Sequence, residues 1–151
     1  MWYRVFCRGG EEIKPSEVLA RLQEKGVTLS GHFKGDDLGW TSAELQIGTG
    51  TPLLVERFLT KEDDLRNDLN TWAAYLETLN YSEENVPLME RMIQTQQLYT
   101  IREPINHSNE IVVKEACRQL SEILAQSADG FFQIEDDGWY DAQGNLLIKE
   151  Y

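Results

Sequence analysis

Three side chains of this sequence have the types and spacing for metal or acid–base chemistry: His32, Glu44 and Glu56. The run VTLSGHFK alternates, with Val27, Leu29, Gly31 and Phe33 on one face and Thr28, Ser30, His32 and Lys34 on the other. WTSAELQI alternates too and turns Ala43, Leu45 and Ile47 inward, and PLLVERFL follows the loop GTGTP as a third strand. Pairing the inward residues sets Val27 opposite Ile47, Leu29 opposite Leu45 and Gly31 opposite Ala43. Across the next hairpin it sets Leu45 opposite Val55 and Ile47 opposite Leu53. The outer face then carries His32 beside Ser42, Ser30 beside Glu44, and Glu44 directly opposite Glu56. Two like charges facing each other across strands cost some tenths of a kcal/mol, roughly. A divalent metal held by the histidine and the two glutamates would offset that cost, and one of the carboxylates could serve as a general acid or base. An exposed sheet face with splayed carboxylates near Lys34 is the plainer reading of the same residues.

A second constellation lies at two similar corners, GHFKGDDLGWTSAELQI and GFFQIEDDGWYDAQGNLL. Trp40 and Trp139 fall out of phase with the inward alanines Ala43 and Ala142. They are therefore expected on the outer face, ringed by Asp36, Asp37, Asp136 and Asp137, where an aromatic surface could hold a lysine or arginine of a partner. IEDDGWYDAQG suggests a calcium loop only superficially: with Gly138 as the loop glycine, Gln133 takes the first ligand position and Gly144 stands where the bidentate glutamate belongs. Arg57 points inward and calls for a carboxylate partner. Arg4 and Arg8 alternate with aromatics on the first strand and could supply an anion site. His107, between Asn106 and Ser108, reads as part of a turn or helix cap.

The formal net charge of −12 comes from clusters such as Glu11-Glu12, Glu62-Asp63-Asp64 and Glu135-Asp136-Asp137. Phosphate backbones are repelled by such a surface, so nucleic acid is not an expected partner unless the chain mimics it, whereas a basic protein or peptide is attracted. Cys7 and Cys117 lack any CxxC or Cys/His spacing and read as buried thiols. No apolar run approaches the roughly 18 residues of a membrane span, and WYRVFCRGG does not read as a signal segment, so a cytoplasmic protein without membrane contact is expected.

These residues must be positioned by a chain of 151 residues, a length that suits one domain. WYRVFCR reads as a central strand. KPSEVLARLQEKGV reads as a helix stopped at Gly26, and Thr60 opens a helix with the stripe Leu65, Leu69, Trp72, Ala73, Leu76 and Leu79. A further helix spans about 87–94, QQLYTIREP is a strand, and a long helix runs from Ser108 with Val112, Ala116, Leu120, Ile123 and Leu124 inward, before two or three short strands. The expected fold is α+β: two βαββ(β)-like units, about 1–59 and 96–151, forming antiparallel-rich sheet with helices on one face and a helical insertion at about 61–95. A shift of 99 residues superposes Gly31, Phe33, Asp37, Gly39, Trp40 and Ala43 on Gly130, Phe132, Asp136, Gly138, Trp139 and Ala142, which suggests an internal repeat.

Tandem βαβββ units with ligands on the sheet face resemble the vicinal-oxygen-chelate (glyoxalase-like) architecture in topology. That resemblance implies a small-molecule or divalent-metal-dependent enzyme, although its ligand set has no counterpart here, Phe131 standing where His32 does in the first unit. The runs NTWAAYLETLNYS, LMERMIQTQQLYT and GFFQIEDDGWYDAQGNLL resemble a group of small acidic bacterial proteins with no assigned activity, a resemblance that supplies no activity, cofactor or catalytic residue to carry over. The function expected from the sequence is a non-enzymatic interaction or regulatory module that meets a basic protein or peptide, with the enzyme as the alternative.

Overall fold

The computed structural model describes residues 1–79, 82–105 and 109–150. The elements run β1 (Trp2–Cys7), α1 (Pro15–Glu24), β2 (Ser30–Asp36), β3 (Gly39–Gln46), β4 (Leu53–Leu59), α2 (Arg66–Thr78), α3 (Asn85–Ile93), β5 (Gln97–Arg102), α4 (Glu110–Ser127), β6 (Gly130–Ile134), β7 (Gly138–Tyr140) and β8 (Leu146–Lys149). All eight strands join one antiparallel sheet in the order β2-β3-β4-β5-β1-β6-β7-β8. The fold is therefore α+β, as the alternation and helical periodicities require.

Strand β1 is apolar on both faces because both are covered. Val5 and Cys7 belong to the core formed with α1 and α4, while Phe6, between them, belongs to a second core with α2 and α3. The expectation of helices on one face is corrected accordingly: α1 and α4 cover one side, and the inserted α2–α3 pair covers part of the other, over Phe58, Leu98, Phe6, Phe131, Trp139 and Ile148. Helix α1 ends as its sequence dictates, with Gly26 at φ 84° and the Val27 N–H donating to the Leu22 carbonyl at 3.0 Å. Helix α2 starts later than Thr60. Asp63 turns back to accept the Leu59 N–H at 2.7 Å, so residues 60–64 form turns and the helix opens at Arg66. In α4 the inward residue of the first turn is Val113, while Val112 is exposed.

The string βαβββ does occur twice, but its two copies do not build equivalent sheets. The first meander joins the sheet through β4, its last strand, and the second joins through β6, its first, with β1 inserted between β5 and β6. The tandem arrangement expected from the glyoxalase-like resemblance is thus replaced by one interleaved sheet. The superposed corners differ as well. The β2–β3 turn places Asp37 and Leu38 between paired Asp36 and Gly39, whereas the β6–β7 turn places Glu135, Asp136 and Asp137 between paired Ile134 and Gly138.

Candidate functional site

The uncovered part of the α2–α3 side of the sheet is where polar residues gather. Cross-strand register sets His32, Glu44, Leu54, Arg102 and Trp2 in one row and Lys34, Ser42, Glu56, Thr100, Arg4 and Gln133 in the next. The faces agree with the sequence reading, but the register is slipped by two residues. His32 lies opposite Glu44, Glu44 opposite Leu54, and Glu56 opposite Ser42 and Thr100, so the facing glutamates do not exist. Turn chemistry is the cause. The β2–β3 hairpin closes at Asp36 and Gly39, and the β3–β4 loop bends at Gly48 and Gly50, both at positive φ. A shallow recess of about 160 Å³ is lined by Ser30, His32, Glu44 and Gln46 without Glu56. Among the described residues no three His, Cys, Asp or Glu side chains gather closely enough to hold a metal ion.

The two tryptophans are both buried, Trp40 4 % exposed and Trp139 not at all, which corrects their expected exposure. For Trp40 the phase changes at a bulge. Lys34 pairs with Ser42 and Gly35 with Trp40, leaving Thr41 as an extra residue that rotates Trp40 onto the α1–α4 face, where its Nε1 donates to the Ile13 carbonyl at 2.8 Å. For Trp139 the phase holds, but the face it takes is the one α2 and α3 cover: it stacks on Phe6 at 5.7 Å and meets Trp72 edge-on at 5.9 Å. Nor do the four aspartates form a ring. Asp36 and Asp37 sit at the β2–β3 turn, Asp136 and Asp137 at a turn on the opposite end of the sheet. Asp36 accepts the Leu38 N–H at 2.9 Å, and Asp137 accepts the Tyr140 hydroxyl. His107 lies outside the described residues.

One open cleft on this side combines aromatic walls and charge. About 370 Å³ in volume, it is lined by Arg4, Thr71, Trp72, Tyr75, Gln133, Glu135, Asp136 and Glu150. Helix α2 supplies Trp72 and Tyr75, which meet edge-on at 5.6 Å, on the flank of its apolar stripe. The sheet supplies Arg4 and Gln133, directly paired across β1 and β6. Arg4 stacks over the Trp72 ring at 5.0 Å and donates through Nη1 to Gln133 Oε1 at 2.9 Å. Gln133 is 1 % exposed, and its Nε2 donates to both Glu150 oxygens at 2.9 and 2.7 Å. Glu150 also accepts the Asp136 N–H at 3.1 Å, and Glu135 accepts the Trp2 N–H at 3.2 Å. These bonds fix the carboxylates of Glu135 and Glu150 and the backbone of Asp136, whose own carboxylate also lines the cleft. None is neutralised: the ion pairs among the described residues are Arg8–Asp129, Arg91–Asp129 and Lys114–Glu103. Burial and the adjacent Glu150 carboxylate raise the Tyr75 hydroxyl above its ordinary pKa, so it stays protonated as a donor.

The cleft has an aromatic wall, one guanidinium and three carboxylates, which is equipment for binding. Thiol chemistry lies elsewhere and is switched off. Cys7 and Cys117 are free and buried, and burial pushes both thiols up to about 12. Because the folded state holds them as thiols while the unfolded chain ionises near pH 9, the stability they contribute is complete below about pH 9 and is lost as pH rises toward 12. Urea midpoints measured at pH 8 and pH 10.5 should therefore fall with pH in the wild type and fall less in the Cys7→Ala, Cys117→Ala double variant. Equal falls in the two proteins would contradict this.

The sequence places Trp72 in a core stripe, Gln133 in the rejected calcium loop and Glu135 in an acidic cluster, and gives no separate sign of Tyr75 or Glu150. The signal available was polar interruption: Arg4 in WYRVFC and Gln133 in GFFQI break strands that are otherwise apolar. Comparison with known proteins returned no matching family, no matching curated sequence and no matching solved structure.

Proposed function

We infer that this chain is a non-enzymatic binding module that takes a basic side chain of a protein or peptide partner into the cleft beside α2. The observation that carries the reading is the set of Glu135, Asp136 and Glu150 lining an aromatic-walled cleft, the carboxylates of Glu135 and Glu150 held by hydrogen bonds and none of the three in an ion pair among the described residues. Against the single Arg4, three carboxylates leave a net charge of −2 in the cleft, inside a chain of net charge −12. A lysine or arginine would lay its aliphatic stem along Trp72 and Tyr75 and set its charge among the carboxylates. The two free, buried cysteines suit a reducing compartment, and we place the module in the cytoplasm.

Calorimetry with an oligolysine peptide tests the reading. The variant Glu135→Gln, Asp136→Asn, Glu150→Gln is expected to weaken binding about tenfold or more and to flatten its salt dependence. A control with the same charge change elsewhere, Asp36→Asn, Asp37→Asn, Glu62→Gln, is expected to bind within about twofold of wild type. If both variants lose affinity equally, the attraction is a property of the whole acidic surface and the cleft is not the site.

A further inference from the structure

The cleft is not uniformly acidic, and its one cation is arranged with care. Arg4 has carboxylates for neighbours in the same cleft yet forms no ion pair with them. What separates them is Gln133, whose carbonyl oxygen takes Arg4 Nη1 while its amide nitrogen serves Glu150. A neutral amide used in this way satisfies one donor of the arginine and both oxygens of the glutamate without letting the two charges cancel. Gln133 is itself 1 % exposed and sits between paired Arg4 and Trp139 positions, so it has little freedom to change partners. The remaining donors of Arg4, Nε and Nη2, meet no acceptor among the described residues, and the guanidinium carbon lies over the Trp72 ring at 5.0 Å and over the Trp2 ring at 6.0 Å. The result is a cleft lined by one positive and three negative groups that form no ion pair with one another.

We propose that the ligand of this cleft carries both charges: an α-carboxylate that meets Arg4 and a basic side chain that meets Glu135, Asp136 and Glu150, as at a polypeptide C-terminus ending in lysine or arginine. The proposal rests on the basic-partner reading and specifies it. Guanidinium groups match carboxylates geometrically, and a stacked arginine with two free donors is prepared for such a contact. The same chemistry is present in a free basic amino acid, which adds an α-ammonium group that a chain terminus lacks.

The test uses the full chain and four probes: an N-acetylated tetrapeptide ending in lysine as the free acid, the same peptide as the C-terminal amide, the free-acid peptide ending in alanine, and free lysine. In the wild type the lysine acid is expected to bind about tenfold or more tighter than its amide, and the alanine acid weakly. In Arg4→Gln the preference for the acid over the amide is expected to collapse to about onefold. Acid and amide binding equally to the wild type would overturn the proposal, a result that needs no variant to fold, and would leave the basic-partner reading standing. Failure of both lysine peptides would overturn the two together. Free lysine matching the tetrapeptide acid would support the two-charge chemistry and assign its source to the amino acid; free lysine binding much more weakly would support it with the chain terminus as the source.

Discussion

Replacing Arg57 by leucine is expected to remove about 3–5 kcal/mol of unfolding free energy, a loss the size of a whole small domain's lower stability limit. Arg57 is 4 % exposed on the α1–α4 side of the sheet. The carboxylate partner expected for it is replaced by neutral acceptors: Nε donates to Gln97 Oε1 at 2.8 Å, Nη1 to the Leu38 and Trp40 carbonyls at 3.1 and 3.2 Å, and Nη2 to the Gly10 carbonyl at 3.2 Å. Gln97 then passes the connection to the Gly9 and Glu11 carbonyls at 2.8 and 2.9 Å. One guanidinium thus ties the β2–β3 turn, the 9–12 loop and β5 together, and its loss strands several acceptors at once. Chemical denaturation checks this. Lysine should rescue little, because an ammonium cannot reach acceptors lying on three sides. A loss under about 1 kcal/mol for the leucine variant would show that water replaces the arginine without cost.

The second large effect is expected at Trp139. Truncation to alanine removes a fully buried indole that packs on Phe6, Phe131 and Trp72, with centroid separations of 5.7, 6.0 and 5.9 Å. Such a cavity costs about 3–5 kcal/mol. Because Trp72 loses its support, the folded fraction that remains should also bind basic peptides more weakly. Phenylalanine should be far milder, since Trp139 Nε1 is buried without a partner among the described residues and its removal strands nothing. Trp40→Ala supplies the contrast. It forfeits the bond to Ile13 and destabilises the other core, yet leaves the cleft beside α2 intact. Denaturation and calorimetry on the same three proteins separate the two cores. Equal peptide affinity in all of them would contradict a supporting role for Trp139.

How far the molecule could be read from its residues follows from which interactions are local. Alternation in VTLSGHFK, WTSAELQI and PLLVERFL fixed the face of His32, Glu44 and Glu56, because period two is a property of each strand alone. Their partners were not legible. Register depends on turns: the closing of the β2–β3 hairpin and the β3–β4 loop glycines at positive φ set the partners of His32, Glu44 and Glu56 two residues away without changing the face of these three, while the bulge at Thr41 turned Trp40 to the other face. The stripe of α2 was legible in the same local way, but its destination was not. Only the tertiary arrangement shows that the inserted helices cover the side on which Trp139 lies. The cleft itself is assembled from β1, α2, β6, the β6–β7 turn and the residue after β8, segments far apart in sequence, so no motif announces it. The acidic bias was legible as a total, and Asp136 alone of the four candidate aspartates stands in the cleft that concentrates it.

The α2–α3 insertion accounts for both halves of the picture. Its apolar stripe closes the second core over Phe6, Phe131 and Trp139, and the flank of the same helix turns Trp72 and Tyr75 toward Arg4, Gln133 and the three carboxylates. On the proposed reading, stability and recognition share one element.

The most direct measurement is a nuclear magnetic resonance titration of the labelled protein with the oligolysine peptide, following backbone amides and tryptophan indoles. The account predicts that the Trp72 indole and the amides of Tyr75, Gln133, Glu135, Asp136 and Glu150 move first and saturate together, while the 36–37 turn stays still. Shifts spread evenly over the acidic clusters, or centred on Asp36 and Asp37, would contradict it.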